Sequence, residues 1–201
     1  MDETDRDAVA EAVRQAESRT SGEIVVVIDR AAASYRWLPV LIAWGIGLLL
    51  PWPLLWLTMT SAPRIFMIQL VTAAILTLVL LWYGRGGRFV PGFVGRRRAH
   101  EVALREFTAR GMTRTAGRTG VLLYVALQER YAEILADSAV DGKVAQERWD
   151  AIISLLLDAA KDDRLREGLI AAVGNIGDEL ATHAPALPGD VDELPNRVVL
   201  L

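Results

Sequence analysis

Between Trp37 and Tyr83 the chain carries one charged side chain, Arg64, and that scarcity limits the fold more than any other feature of the sequence. A nearly charge-free run belongs either in a protein core or in a lipid bilayer. The segment divides at the polar turn Thr58-Met59-Thr60-Ser61-Ala62-Pro63-Arg64 into two apolar runs, Leu38 to Thr58 and Ile65 to Tyr83. Each is about the 20 residues a helix needs to cross the hydrocarbon layer. The simplest reading is a helical hairpin that spans the membrane twice. It also accounts for a mean hydropathy of +0.27, high for a domain of this size. Pro51-Trp52-Pro53 removes backbone donors inside the first span and predicts a kink or an early end. Trp37, Trp52, Trp56, Trp82 and Tyr83 are expected near the interfaces, where amphipathic rings are favoured.

Arginine sets the expected orientation. Residues 84 to 100 hold Arg85, Arg88, Arg96, Arg97 and Arg98 with no acid, whereas the turn holds only Arg64. The positive-inside rule then places both termini in the cytoplasm, with the hairpin in a bacterial inner membrane. The acidic start "MDETDRD" leads into an amphipathic segment, a pattern unlike a secretory leader. The five arginines are expected to meet anionic lipid headgroups, at roughly 1 kcal/mol each near the surface. Residues 84 to 119 carry nine arginines and two glutamates, and residues 120 to 201 carry seven basic and fifteen acidic groups. The distal half therefore presents an acidic surface. Nucleic acid is not an expected partner, because Arg96-Arg97-Arg98 has no interleaved aromatics and no binding motif around it. With no cysteine in the chain, disulfides and thiolate chemistry are excluded.

Outside the hairpin the periodicities alternate. Residues 4 to 19 place Ala8, Val9, Ala12, Val13 and Ala16 on one helical face, with Thr4 as the expected N-cap and Asp7 three residues on. "EIVVVI" (23 to 28) and "GVLLYVAL" (120 to 127) read as strands buried on both faces, and "YAEILAD" (131 to 137) as a third after a tight turn. Arg96 to Gly111 reads as a helix. So do a segment marked by Trp149, Ile152, Ile153 and Leu156 and another marked by Leu165, Leu169, Ala172, Val173, Ile176 and Leu180. "GRGGRFVPGFVG" (84 to 95) lacks the ending of a phosphate-binding loop and reads as a linker. The proline-containing tail should be irregular, with Arg197 to Leu200 able to add a short edge strand.

This order predicts an α/β fold, a Rossmann-like α/β sandwich around a mixed sheet, interrupted by a two-helix transmembrane hairpin. The organisation is 1–37 (first helix and strand), 38–83 (hairpin), 84–95 (linker), 96–183 (remainder of the domain) and 184–201 (tail). Strands 23 to 28 and 120 to 127, joined through a helix, should be parallel. Strands 120 to 127 and 131 to 137, joined by a turn, should be antiparallel.

"RTSGEIVVVI", "GRTGVLLYVALQERYAEILAD", "VAQERWDAII" and "REGLIAAVGNIGDEL", in this order, resemble the TPM-domain family, named partly for a thylakoid-lumen protein of photosystem repair. "DELPNRVV" resembles the tail of bacterial members with a similar apolar insert. The resemblance implies a Rossmann-like sandwich and two competing roles. One is help in the assembly or turnover of membrane protein complexes, the other an acid-phosphatase-like activity with divalent metal binding. Many relatives are extracytoplasmic, a pattern from which the arginine distribution departs. Long-form relatives carry a GxGLEG-like turn after the third strand. Here "DSAVDG" (137 to 142) keeps Val140, Asp141 and Gly142, while Asp137 and Ala139 replace glycines.

The best catalytic or metal-binding candidates are Asp137 and Asp141, at the end of a strand and four residues on. Two nearby carboxylates could hold Mg²⁺ or Ca²⁺ through oxygen, or divide acid and base roles. Equally, Asp137 ends the strand and Asp141-Gly142 makes a turn, as such residues do everywhere. The strand directions put Asp137 near Arg118 and Gly22, at the edge opposite Asp29, and open to cytosolic ligands. His100 and His183 read as isolated surface residues. The expected function is a non-enzymatic membrane protein that binds membrane-protein partners. A weak metal-dependent acid phosphatase is the alternative.

Overall fold

Six consecutive apolar or strand-ending residues, Ile24–Asp29 (β1), are buried without exception in the computed structural model, which describes residues 2–31, 37–57, 61–83, 92–186, 194 and 198–201. Such a strand needs partners on both edges and cover on both faces. Its first partner is Val121–Ala126 (β2), parallel, in the register Ile24↔Val121 to Asp29↔Ala126. Tyr131–Ala136 (β3) pairs antiparallel with β2, and Val199–Leu200 (β4) pairs parallel with β1. The order β3-β2-β1-β4 makes β1 and β2 the two central strands, and the short edge strand expected in the tail is present.

The pleat divides the core. Ile24, Val26, Ile28, Val121, Leu123 and Val125 point to one face, where Glu3–Glu17 (α1), Gln146–Lys161 (α6) and Leu165–His183 (α7) cover them with Val9, Val13, Trp149, Leu156, Leu169 and Ile176. Val25, Val27, Leu122, Tyr124 and Ala126 point to the other, against Ala99 and Ala103 of Gly92–Ala109 (α5) and Met112. This is the α/β sandwich with a mixed sheet. Backbones approach closely where glycine permits it. A Cβ on Gly177 of α7 would lie 2.7 Å from the Ala16 Cβ of α1, and one on Gly120 would lie 2.7 Å from the Met112 carbonyl oxygen.

The boundaries shift in places for local reasons. α1 is capped by Asp2, not Thr4: the Asp5 amide donates to Asp2 Oδ1 at 2.8 Å and the Asp2 amide to Asp5 Oδ2 at 3.1 Å. This reciprocal box uses the stronger cap and places it two residues before the expected one. α5 takes in Gly92 to Gly95, four residues read as linker, because its first turn needs no apolar partner. The rest of that linker, with Arg85 and Arg88, lies outside the described residues.

The chain divides into two compact units, Met1–Ala32 with Arg96–Leu201, and Ala33–Gly95. The second holds Trp37–Leu49 (α2), Pro51–Leu57 (α3) and Ala62–Tyr83 (α4). Val40–Leu57 and Ala62–Trp82 are long and apolar enough to cross a membrane. The Pro51-Trp52-Pro53 break ends α2 at Leu49, and a new helix begins with Pro51 at its first position, where a missing N–H costs nothing. α2 and α4 pack where a Cβ on Gly47 would come within 3.0 Å of the Ala73 Cβ.

Candidate functional site

Asp137 follows directly on β3, and the sheet register brings it to the residue before β2's approach. Its amide donates to the Gly120 carbonyl at 2.8 Å, and the Ala139 amide donates to the Arg118 carbonyl at 3.1 Å. Arg118 sits at φ +55, a left-handed conformation that turns its side chain back across the strand end. Its Nε lies 2.6 Å from Asp137 Oδ2, and its terminal nitrogen donates to Oδ1 at 2.9 Å. The Ser138 amide donates to the same Oδ1 at 2.6 Å. The carboxylate is thus held from two sides and is only 4% exposed. Burial pushes its pKa up, but the Arg118 hydrogen bond, the Ser138 amide and the Arg118 charge outweigh that and hold it below the ordinary carboxylate range.

Asp141 is reached by one turn of chain. The Val140 and Asp141 amides donate to the Asp137 carbonyl at 2.9 and 2.8 Å, and Gly142 closes the turn at φ +79. Glycine is needed there, and neither Asp137 nor Ala139 adopts positive φ, so the two replaced glycines leave no strain. The hydrogen bonds between the candidates run through backbone, and their carboxyl groups have different surroundings. Asp141 is exposed as expected, whereas Asp137, expected to be open to ligands, is buried under Arg118. A carboxylate committed to a guanidinium is a weak base near neutral pH, and a divalent ion would have to displace Arg118 to reach it. The two residues as placed do not fit a resident Mg²⁺ or Ca²⁺. Among the described residues, no three His, Asp or Glu side chains converge as metal ligands.

Two polar clusters lie on the α5 face of the sheet. Tyr124 donates through Oη to Asp29 Oδ2 at 3.0 Å, and the Ala31 amide donates to Asp29 Oδ1 at 3.0 Å. Burial first, and the Asp29 carboxylate second, push the Tyr124 phenol above its usual range. The only hint was an acid closing an otherwise apolar strand. In the other cluster, His100 Nδ1 of α5 lies 2.8 and 3.0 Å from the two oxygens of Glu133 on β3, to which Tyr131 also donates at 2.9 Å. His100 is therefore not isolated: it ties α5 to the edge strand. At the finishing end of β2, Val125, Leu127, Arg130, Leu157, Lys161 and Leu165 line an open cleft of about 460 Å³.

The family model described as the TPM domain matches residues 89–179, which covers α5, β2, β3, α6 and most of α7. The match to the TPM domain is confined to this part of the chain. α1 and β1 lie before the matched segment, yet β1 supplies the strand against which β2 of that segment is paired. A solved structure, the NMR structure of BA42 protein from the psychrophilic bacterium Bizionia argentinensis, is similar over 100% of this chain and 95% of its own, at 20% identity and a TM-score of 0.62. That likeness is one of fold. No curated protein matches the chain.

Proposed function

We propose that the chain is an integral protein of the bacterial inner membrane whose split TPM domain, in the cytoplasm with both termini, binds partner proteins during the assembly or quality control of membrane complexes. The observation that carries this reading is the place of the apolar unit in the chain: it is inserted between β1 and β2, the two central strands of the sheet. A domain built so cannot be shed from its apolar helices without losing its middle. Arg96, Arg97 and Arg98 are exposed on α5, and the last two share Glu101, leaving excess positive charge for anionic headgroups. Asp137, the best catalytic candidate, is engaged with Arg118, which suits a structural role. Crosslinking of the tagged full chain in native membranes, followed by purification and mass spectrometry, is expected to recover specific membrane-protein partners. Recovery of the chain alone would overturn the reading.

The rival reading, a weak acid phosphatase, is favoured by the family model's own title, TPM phosphatase, and by the exposure of Asp141 four residues from Asp137. The full chain in detergent can be assayed on para-nitrophenyl phosphate with Mg²⁺, with Ca²⁺ and with a chelator. Hydrolysis that survives unchanged in both Asp137→Asn and Asp141→Asn would eliminate this site.

A further inference from the structure

Gln69 stands out in the apolar unit. It is the eighth residue of the 22-residue helix α4, and no hydrogen bond takes up its side-chain amide among the described residues. At 1.5 Å of rise per residue, it lies roughly 10 Å inside the helix end, below the interface if α4 spans the bilayer. It lines a groove of about 660 Å³ between α2 and α4, with Trp44, Gly47, Phe66, Ala73 and Thr77 among the other walls. The neighbouring Thr77 hydroxyl is already satisfied, donating to the Ala73 carbonyl at 2.7 Å. An amide left without a partner in hydrocarbon is costly, and polar side chains at that depth join helices.

We infer that this groove is the contact between two copies of the chain, joined through Gln69. The chemistry of the group selects the partner. A carboxamide carries both an N–H donor and a C=O acceptor, so two copies of Gln69 facing each other across a two-fold axis satisfy each other with two hydrogen bonds. A lone carboxylate or guanidinium would need a different chain; an amide is its own complement. The small residues Gly47 and Ala73 let α2 and α4 approach closely, which leaves the Gln69 flank as a shallow surface that a second hairpin can reach.

This inference rests on the membrane reading, and one experiment separates the two. The chain lacks cysteine, so a single Lys143→Cys on the exposed turn after β3 accepts a donor or acceptor dye. Labelled full-length chain is reconstituted in phosphatidylcholine vesicles over a range of protein-to-lipid ratios, and energy transfer is read against the random-proximity baseline. The background chain and Gln69→Asn are expected to associate. Gln69→Leu, which keeps the volume and removes the amide, is expected to need a roughly tenfold higher density in the bilayer for the same transfer. Transfer at baseline for the background chain, or unchanged association of Gln69→Leu with unchanged circular dichroism, overturns the inference. Crosslinking of Gln69 to a different membrane protein in place of a second copy does the same. Release of the chain from the vesicles by alkaline carbonate overturns the membrane reading instead.

Discussion

The two units use the same apolar residues to opposite ends. In the sheet, β1 and β2 bury all twelve of their residues, and Leu123 is 0% exposed. In the inserted unit, α3 buries none of its seven, and Trp56 is 88% exposed. Ordinary domains scatter exposed apolar side chains singly, and a face this continuous is stable in water only if something covers it. In one unit the hydrophobic effect is satisfied inside the chain, and in the other it leaves two helices long and apolar enough to cross a membrane with most of their apolar surface uncovered.

The largest expected effect comes from removing the shared element. Deleting residues 1–30 takes away α1 and β1, the strand that pairs with both β2 and β4. The loss should exceed the whole stability of a domain, about 5–15 kcal/mol. Circular dichroism and limited proteolysis in detergent would show an unfolded segment 96–201 beside intact apolar helices. A protease-resistant core in that variant would break the argument that the insertion divides a single fold.

A sharper test sets matched truncations side by side. Leu123→Ala should cost about 2–5 kcal/mol in chemical unfolding, since it empties a filled core position. Ile75→Ala, at a position 55% exposed on α4, should leave the same transition unmoved. Equal effects would mean that the two units share a core.

A charge reverses the ranking. Ile75→Arg should cost roughly 2.5–3.5 kcal/mol in membrane insertion. Leu155→Arg on α6, 63% exposed, should cost almost nothing. The carbonate-resistant fraction of each full-length variant reports the difference, and equal fractions would count against a spanning α4.

The smallest effect concerns Asp137. Its folded pKa lies below the unfolded value, so the ion pair contributes fully above the unfolded pKa and the contribution fades as pH falls through the folded one. With Arg118 half exposed to solvent, the contribution is about 1 kcal/mol. The urea midpoint should fall between neutral pH and about pH 3, and part of that fall should vanish in Asp137→Asn. An identical pH profile in the variant would remove the structural role given to this pair.

The sheet was legible because its signals are local or depend only on connection length. Apolar runs at 24–28 and 121–126 mark strands buried on both faces, and a four-residue turn before β3 dictates an antiparallel pair. The neighbourhood of Asp137 and Arg118 followed from those strand directions, but the commitment of the carboxylate did not. It depends on Arg118 taking a left-handed backbone conformation, which its identity does not announce. Asp2 displaced Thr4 as the cap because both satisfy the same three-residue spacing, and the choice between them lies in the first turn's actual hydrogen bonds.

What the amino-acid order determined by itself is the division of the chain: two apolar helices around a polar turn, an α/β periodicity on either side, and a first strand whose partner lies beyond the insertion. These follow from composition within windows of a few residues to about twenty. The tertiary structure alone decided the polar pairings, Tyr124 with Asp29 across 95 residues and His100 with Glu133 across 33. Such pairs are set by sheet register and by which face of a helix meets which strand. A one-residue slip in register would send Tyr124 to the other face, away from α5, so its partner is a property of the assembled sheet and of no segment within it.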